Sequence, residues 1–264
     1  MMNDNNNIEN NDVNGNKKKS IKLIVLYLII FALLFAGMYF GMAIWQKNAQ
    51  TPDDLSNVTV TQSAEKTVEN PIDFAKLQKQ NDEIYAYIKI DDTKVDCPIV
   101  QSGSDDAFYL RHKAEDKSLS ASGAIYTEVA NSKDFDDFVT VIYGHNGYSD
   151  TFFTTLHYFE KEEFFNSHPY FYIYTPDGRE IVYHIYSAAT VKDTDDVYLT
   201  GFENDEAYQS YLDMTKRIAI YDTGVEVTTA DSVVTLSTCT SASDEHRFVV
   251  IGVKEQENQM GQTK

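Results

Sequence analysis

Three side chains in this 264-residue sequence could act together on one carbonyl: a thiol, an imidazole and a guanidinium. The alternating run Val233-Val234-Thr235-Leu236-Ser237-Thr238 leads into Cys239, and Arg247 follows eight residues later at the head of a second apolar run. The two read as neighbours on adjacent strands. A cysteine nucleophile needs a partner, because a free thiol of pKa about 8.5 is only a few per cent ionised at neutral pH. Six histidines are present. Only His145 directly follows a strongly apolar strand, in the glycine-flanked turn Tyr143-Gly144-His145-Asn146-Gly147, where a rigid scaffold can present a side chain at a sheet rim. By itself this turn reads more readily as a surface histidine than as a catalytic one. His157 and His168 read as exposed members of a helical insertion, His184 alternates within a strand, and His246 should point away from Arg247.

The only other cysteine is Cys97, in Val95-Asp96-Cys97-Pro98-Ile99-Val100. In an exported protein the pair could form one disulfide. A domain of this size can bury a large core without a covalent staple, which favours a catalytic Cys239 and a small buried hydrophobe at Cys97. Export itself is argued near the amino terminus, where residues 23–45 carry no charge. At about 1.5 Å per residue, a helix there would span a hydrocarbon core of roughly 30 Å. A cleaved signal peptide would have an apolar region of only about 7 to 15 residues. Lys17, Lys18, Lys19 and Lys22 precede the span, whereas Lys47, Asp53 and Asp54 follow it. The positive flank predicts a cytoplasmic amino terminus and an extracellular remainder.

These features divide the chain into a disordered, asparagine-rich cytoplasmic tail with a basic flank (1–22), a transmembrane signal-anchor helix (23–45) and a polar extracellular stalk (46–69). A single folded domain (70–256) and a short carboxyl tail (257–264) follow. Within the domain, β-branched and aromatic runs broken by Asp, Gly, Asn and Ser predict strands at 84–90, 95–101, 123–128, 138–143, 170–174, 180–191, 232–238 and 247–254. Helical stripes occupy 72–80 and 203–218, and Pro176-Asp177-Gly178 marks a hairpin. Eight mostly short strands without regular βαβ alternation predict a mainly β fold, a closed or nearly closed barrel decorated by helices.

Several classes of function are disfavoured. A net charge of −19 opposes binding to nucleic acid, which needs clustered Lys and Arg. Zinc-type, EF-hand and glycine-rich phosphate-loop spacings are missing, and Asp134, Asp136 and Asp137 read as a solvated acidic loop. No metal or cofactor is expected.

The segment Thr235-Leu236-Ser237-Thr238-Cys239 resembles the strand-borne cysteine motif of sortases, the membrane-anchored transpeptidases of Gram-positive bacteria, and Arg247 falls where their arginine does. Tyr143-Gly144-His145-Asn146, Cys97-Pro98-Ile99-Val100-Gln101 and a helix-sized insert over 193–224 are similar to class B members. The resemblance covers about residues 70–254 and the amino-terminal anchor; Cys97 departs from it, standing where an aromatic residue is expected. It implies an eight-stranded sortase-like barrel with Cys239 as nucleophile, His145 as general acid and base, and Arg247 facing the oxyanion. It also implies cleavage of a C-terminal sorting signal after threonine through a thioacyl enzyme, and transfer of the protein to a peptidoglycan-precursor amine. Sorting-signal-bearing surface proteins, that amine and the membrane would be the partners. Ser237 shares the face of Cys239 and would line the substrate groove, Thr240 could offer a backbone donor to the oxyanion, and Tyr143 and Tyr198 could wall the groove. A pilin-polymerising sortase, a plain cysteine protease and a disulfide-stapled, membrane-tethered adhesin remain as alternatives.

Overall fold

The computed structural model describes residues 68–147, 152–240 and 245–261. The expected tail, the span at 23–45 and the stalk up to residue 67 lie outside them. Among the described residues, no helix is long and apolar enough to cross a membrane.

Eight strands form: β1 (Ile84–Lys89), β2 (Asp96–Val100), β3 (Ile125–Tyr126), β4 (Val139–Tyr143), β5 (Tyr170–Tyr174), β6 (Arg179–Lys192), β7 (Val233–Cys239) and β8 (His246–Gln259). They close a barrel in the order β1-β2-β3-β4-β7-β8-β6-β5, with β5 returning to β1. Most neighbours are antiparallel, but β2 with β3 and β4 with β7 are parallel. Among the described residues, three α-helices decorate the barrel: α1 (Phe74–Gln80), α2 (Glu162–Ser167) and α3 (Asp205–Arg217).

Side chains of β7 alternate between two buried environments. Val234 and Leu236 point into the barrel with Phe248, Val250 and Ile142. Val233 points outward with Val139, Val141, Val249 and Ile251, under Tyr208, Tyr211 and Leu212 of α3. Burial of both faces explains why β4 and β7 read as near-continuous apolar runs. α3 is well specified locally: the Asn204 side chain caps the Ala207 N–H, acidic residues fill the first turn, and Lys216 and Arg217 fill the last.

A 3₁₀ segment (Phe152–Glu160) closes one end of the barrel. Phe153, Leu156 and Phe159 recur every third residue, which at three residues per 3₁₀ turn puts all three on one face, and each is fully buried in the barrel core. This face gives an otherwise uncommonly long 3₁₀ run its stability.

Two ends of the domain differ from expectation. β8 continues to Gln259, beyond residue 256, because the long β6 supplies partners as far as the Arg179–Gln259 pair. Glu69, expected as the last stalk residue, bridges to Gly261, and the Asn70 N–H donates to Gly261 O at 2.8 Å. The polar stretch Glu255 to Asn258 shows no apolar periodicity, so its strand character comes from pairing alone.

Candidate active site

β7 lies between a parallel neighbour, β4, and an antiparallel one, β8. Parallel pairing sets Val139 beside Val233 and Tyr143 beside Ser237, a constant offset of 94 (233 − 139 and 237 − 143). Continued two residues further, that register carries His145 and Cys239 to the same rim of the barrel. On the other side, Cys239 pairs directly with Arg247. The Thr240 N–H donates to His246 O at 3.1 Å, so the ladder bond falls on the next pair. Cys239 and Arg247 therefore form a non-hydrogen-bonded pair, the kind in which side chains approach most closely. All three residues line one cavity of about 350 Å³ on the outer face of the barrel, with Leu110, Tyr126, Glu128, Tyr143, Asp193, Tyr198 and Ser237.

The imidazole of His145 is anchored. Its Nε2 lies 2.6 Å from Leu110 O. A carbonyl can only accept, so Nε2 carries the hydrogen, and Nδ1 is the nitrogen left for proton transfer. Gly123, at φ +56°, lies under the ring; a Cβ there would stand 3.0 Å from His145 Cδ2. Gly144 brings the end of β4 down onto the ring of Phe153.

Arg247 is steadied by its own strand and by the insert. Nη1 donates to His246 O at 3.1 Å and Nη2 lies 3.6 Å from Asp193 Oδ2. Aromatic residues wall the cavity: Tyr143 stacks between Tyr126 (5.4 Å between centroids) and Tyr198 (6.3 Å). The Tyr211 hydroxyl on α3 donates to Val197 O, tying the helix to the short 3₁₀ turn that carries Tyr198. Burial pushes the Tyr126 and Tyr198 phenols up to about 12, and a hydrogen bond from Ser237 partly opposes this at Tyr198. Both stay protonated, neutral donors at neutral pH. Burial, reinforced by the charge of Asp106, also raises the Glu128 carboxyl above the usual carboxylate range.

Ser237 is buried in the cavity wall, its Oγ 3.0 Å from the Tyr198 hydroxyl. Thr240 departs from expectation. Its N–H is already given to His246 O because the β7–β8 ladder continues past Cys239, so it is not available to an oxyanion in this arrangement. Cys97 and Cys239 are both free thiols, which removes the disulfide-stapled alternative. Cys97 is buried in the core, where desolvation, with the charge of Asp96, drives its pKa far upward. Among the described residues, no group of three or more His, Cys, Asp or Glu side chains could hold a metal ion.

Leu110, Glu128, Asp193 and His157 escaped sequence reasoning. The last is only part-exposed, with Nε2 at 3.1 Å from Cys239 O. The three-residue spacing of Phe153, Leu156 and Phe159 marks the segment as packed rather than solvated, but it does not tell which way His157 faces.

Residues 88–255 match the family described as Sortase domain. The chain belongs to the sortase family. Among curated relatives it is 31% identical to sortase B of Listeria monocytogenes over 220 residues, covering 80% of this chain and 87% of that one. It is 32% identical to sortase B of Staphylococcus aureus over 180 residues, 67% of this chain and 72% of the relative. The S. aureus sortase B–substrate complex superposes with a TM-score of 0.64 at 30% identity, covering 69% of this chain and 84% of that one. Clostridium perfringens sortase B gives a TM-score of 0.64 at 31% identity, covering 69% and 100%. This sortase is accordingly a class B transpeptidase, and the adhesin alternative falls.

Proposed function

We propose that this sortase cuts a C-terminal sorting signal after its threonine and transfers the protein to a peptidoglycan-precursor amine, with Cys239, His145 and Arg247 as the catalytic set. The observation that carries the assignment is the double register of β7, with His145 on its β4 side and Arg247 on its β8 side, all lining one cavity. The Cys239 thiolate attacks the threonine carbonyl, forming the C–S bond and placing negative charge on oxygen. Arg247 faces that charge. A guanidinium offers several donors in a fixed fork, and one oriented donor to an oxyanion typically contributes about 3 kcal/mol.

His145, which takes the thiol proton onto Nδ1 as the Cys239 thiolate forms, then gives that proton to the departing amine as the peptide C–N bond breaks, leaving a thioacyl enzyme. The incoming amine attacks the thioacyl carbonyl, gives its proton to His145, and expels the Cys239 sulfur as the new amide forms. Ser237 and Tyr198 line the groove on the acyl side, a reading supported by their shared cavity. The similarity to the S. aureus sortase B–substrate complex supports a substrate in the corresponding cavity here. The uncharged stretch 23–45 supports single-pass anchoring with the catalytic domain outside the cell.

The test is to incubate the full-length enzyme in detergent with sorting-signal peptides and amine acceptors, and to identify products by mass spectrometry. Cleavage after Thr with amide formation is expected, abolished in Cys239→Ala. His145→Ala and Arg247→Ala should each lose at least about 100-fold in turnover, as removal of a general acid or oxyanion donor does. Cleavage that persists in Cys239→Ala would refute the mechanism.

A further inference from the structure

The carbonyl of the nucleophile is held by a side chain from another part of the chain. Along β7, carbonyls two residues apart point to the same side. Ser237 O points toward β4 and accepts the Gly144 N–H at 3.0 Å. Cys239 O points the same way, but the chain leaves β4 after Tyr143, and no backbone donor among the described residues follows Gly144 there. His157 fills the position, with Nε2 3.1 Å from Cys239 O. Its Nδ1 is 2.7 Å from Glu160 Oε1, and its ring stacks on Phe248 at 5.1 Å between centroids. Cys239 O and a Glu160 carboxylate are both acceptors, so the ring serves both only with a hydrogen on each nitrogen. Asn146 Nδ2 lies 3.4 Å from the same Nε2; with a hydrogen on Nε2 these are two donors and do not bond, which leaves Cys239 O as the acceptor there.

We propose that His157, held by Glu160, is a positioning residue for the nucleophile: it replaces the missing strand neighbour and clamps the end of β7 so that the Cys239 thiol keeps its placement between His145 and Arg247. The inference rests on Cys239 being the nucleophile. It accounts for an economy in the fold. β4 must leave β7 at this point for His145 to occupy the rim, and the departure would otherwise leave the carbonyl of the reactive residue without a protein donor. The 3₁₀ segment supplies that donor from the barrel end, anchored by Phe153, Leu156 and Phe159 in the core.

The test compares His157→Ala, His157→Gln and Glu160→Gln in the full-length enzyme, with turnover normalised to titratable Cys239. Expected for His157→Ala is a fall of about tenfold in kcat with the donor-peptide KM within about twofold, because a loosened catalytic group loses rate while the groove persists. His157→Gln, which keeps a donor, should recover most of it. Glu160→Gln, which keeps the fold if His157→Ala does not, should lower kcat about threefold. Backbone amide exchange at Cys239 and Thr240 should quicken in His157→Ala while Val233 to Leu236 stay protected, a readout that needs no substrate. Unchanged kcat per thiol in both His157→Ala and Glu160→Gln overturns the proposal, as does unchanged exchange at Cys239 and Thr240. If wild-type enzyme cuts no peptide, the sortase mechanism fails separately, and the exchange measurement still decides the clamp.

Discussion

Gly144→Ala offers a demanding test of how the barrel positions its histidine. A Cβ at this position would press on Ile125 Cδ1 and stand 2.6 Å from Cδ2 and Cγ of Phe153. Comfortable carbon–carbon contact begins near 3.5 Å, so about 0.9 Å must be found (3.5 − 2.6). Neither wall yields easily. Phe153 is fully buried, packed in one cluster with Leu156 and Phe159, and Ile125 belongs to the same core. Overpacking of this kind costs about 1 to 3 kcal/mol, and pressure on two walls puts the expectation in the upper half, about 2 to 3 kcal/mol. For a domain of this size that is a Tm decrease of roughly 5 to 10 °C. Whatever strain the core does not absorb moves the chain at residues 144 and 145, and a displacement of about 1 Å at a catalytic group can cost about 100-fold in rate. Thermal denaturation and peptide cleavage per titratable thiol measure the two outlets. Gly201→Ala is the control, since a Cβ there meets nothing within 4 Å; it should stay within about 0.5 kcal/mol of wild type. Gly144→Ala with both Tm and turnover unchanged would refute the placement of His145 against the barrel end.

Alkylation of the native enzyme with iodoacetamide should label Cys239 alone, and Cys97 should react only after denaturation, because burial disfavours its thiolate; peptide mapping decides. Tyr198→Phe leaves the buried Ser237 hydroxyl without its Tyr198 partner and should cost about 1 to 3 kcal/mol in urea denaturation, whereas Ser237→Ala, which removes the buried group itself, should cost less. Asp193→Asn should change stability by less than about 1 kcal/mol, since the pair with Arg247 is long and partly exposed, while turnover falls a few-fold as the guanidinium loosens. At Glu128, burial raises the folded-state pKa, so the native state binds the proton more tightly than the unfolded chain, and the wild type loses stability as pH rises through the raised value. Glu128→Gln should therefore be more stable than wild type at pH about 7, and the difference should close as pH falls below the ordinary glutamate value of about 4.3. A gap that widens on acidification would contradict the assignment.

All eight strands were legible because their periodicity is local: β-branched and aromatic runs between turn residues specify extended chain whatever it pairs with. The same holds for α3, whose cap, stripe and terminal charges lie within one short segment. Where pairing rather than patterning makes a strand, as in the polar end of β8, local reading stopped short. His157 was misread for a related reason. Its own neighbourhood is polar and aromatic, and only the packed barrel end turns its ring toward Cys239. Thr240 looked available because its hydrogen-bond partner, His246 O, is contributed by the next strand.

The sequence by itself singled out the thiol, the imidazole and the guanidinium, the adjacency of Cys239 and Arg247 on neighbouring strands, and the family that the chain resembles. Those depend on residue identity and short spacing. What only the tertiary structure decided is the parallel pairing of β4 with β7, which joins residues 94 apart and brings His145 to the rim where Cys239 ends its strand. No local periodicity encodes that partnership. It is selected by closure of the barrel, because each strand must find hydrogen-bond partners on both edges, while β4 and β7 meet the inner core on one face and the cover of α3 on the other.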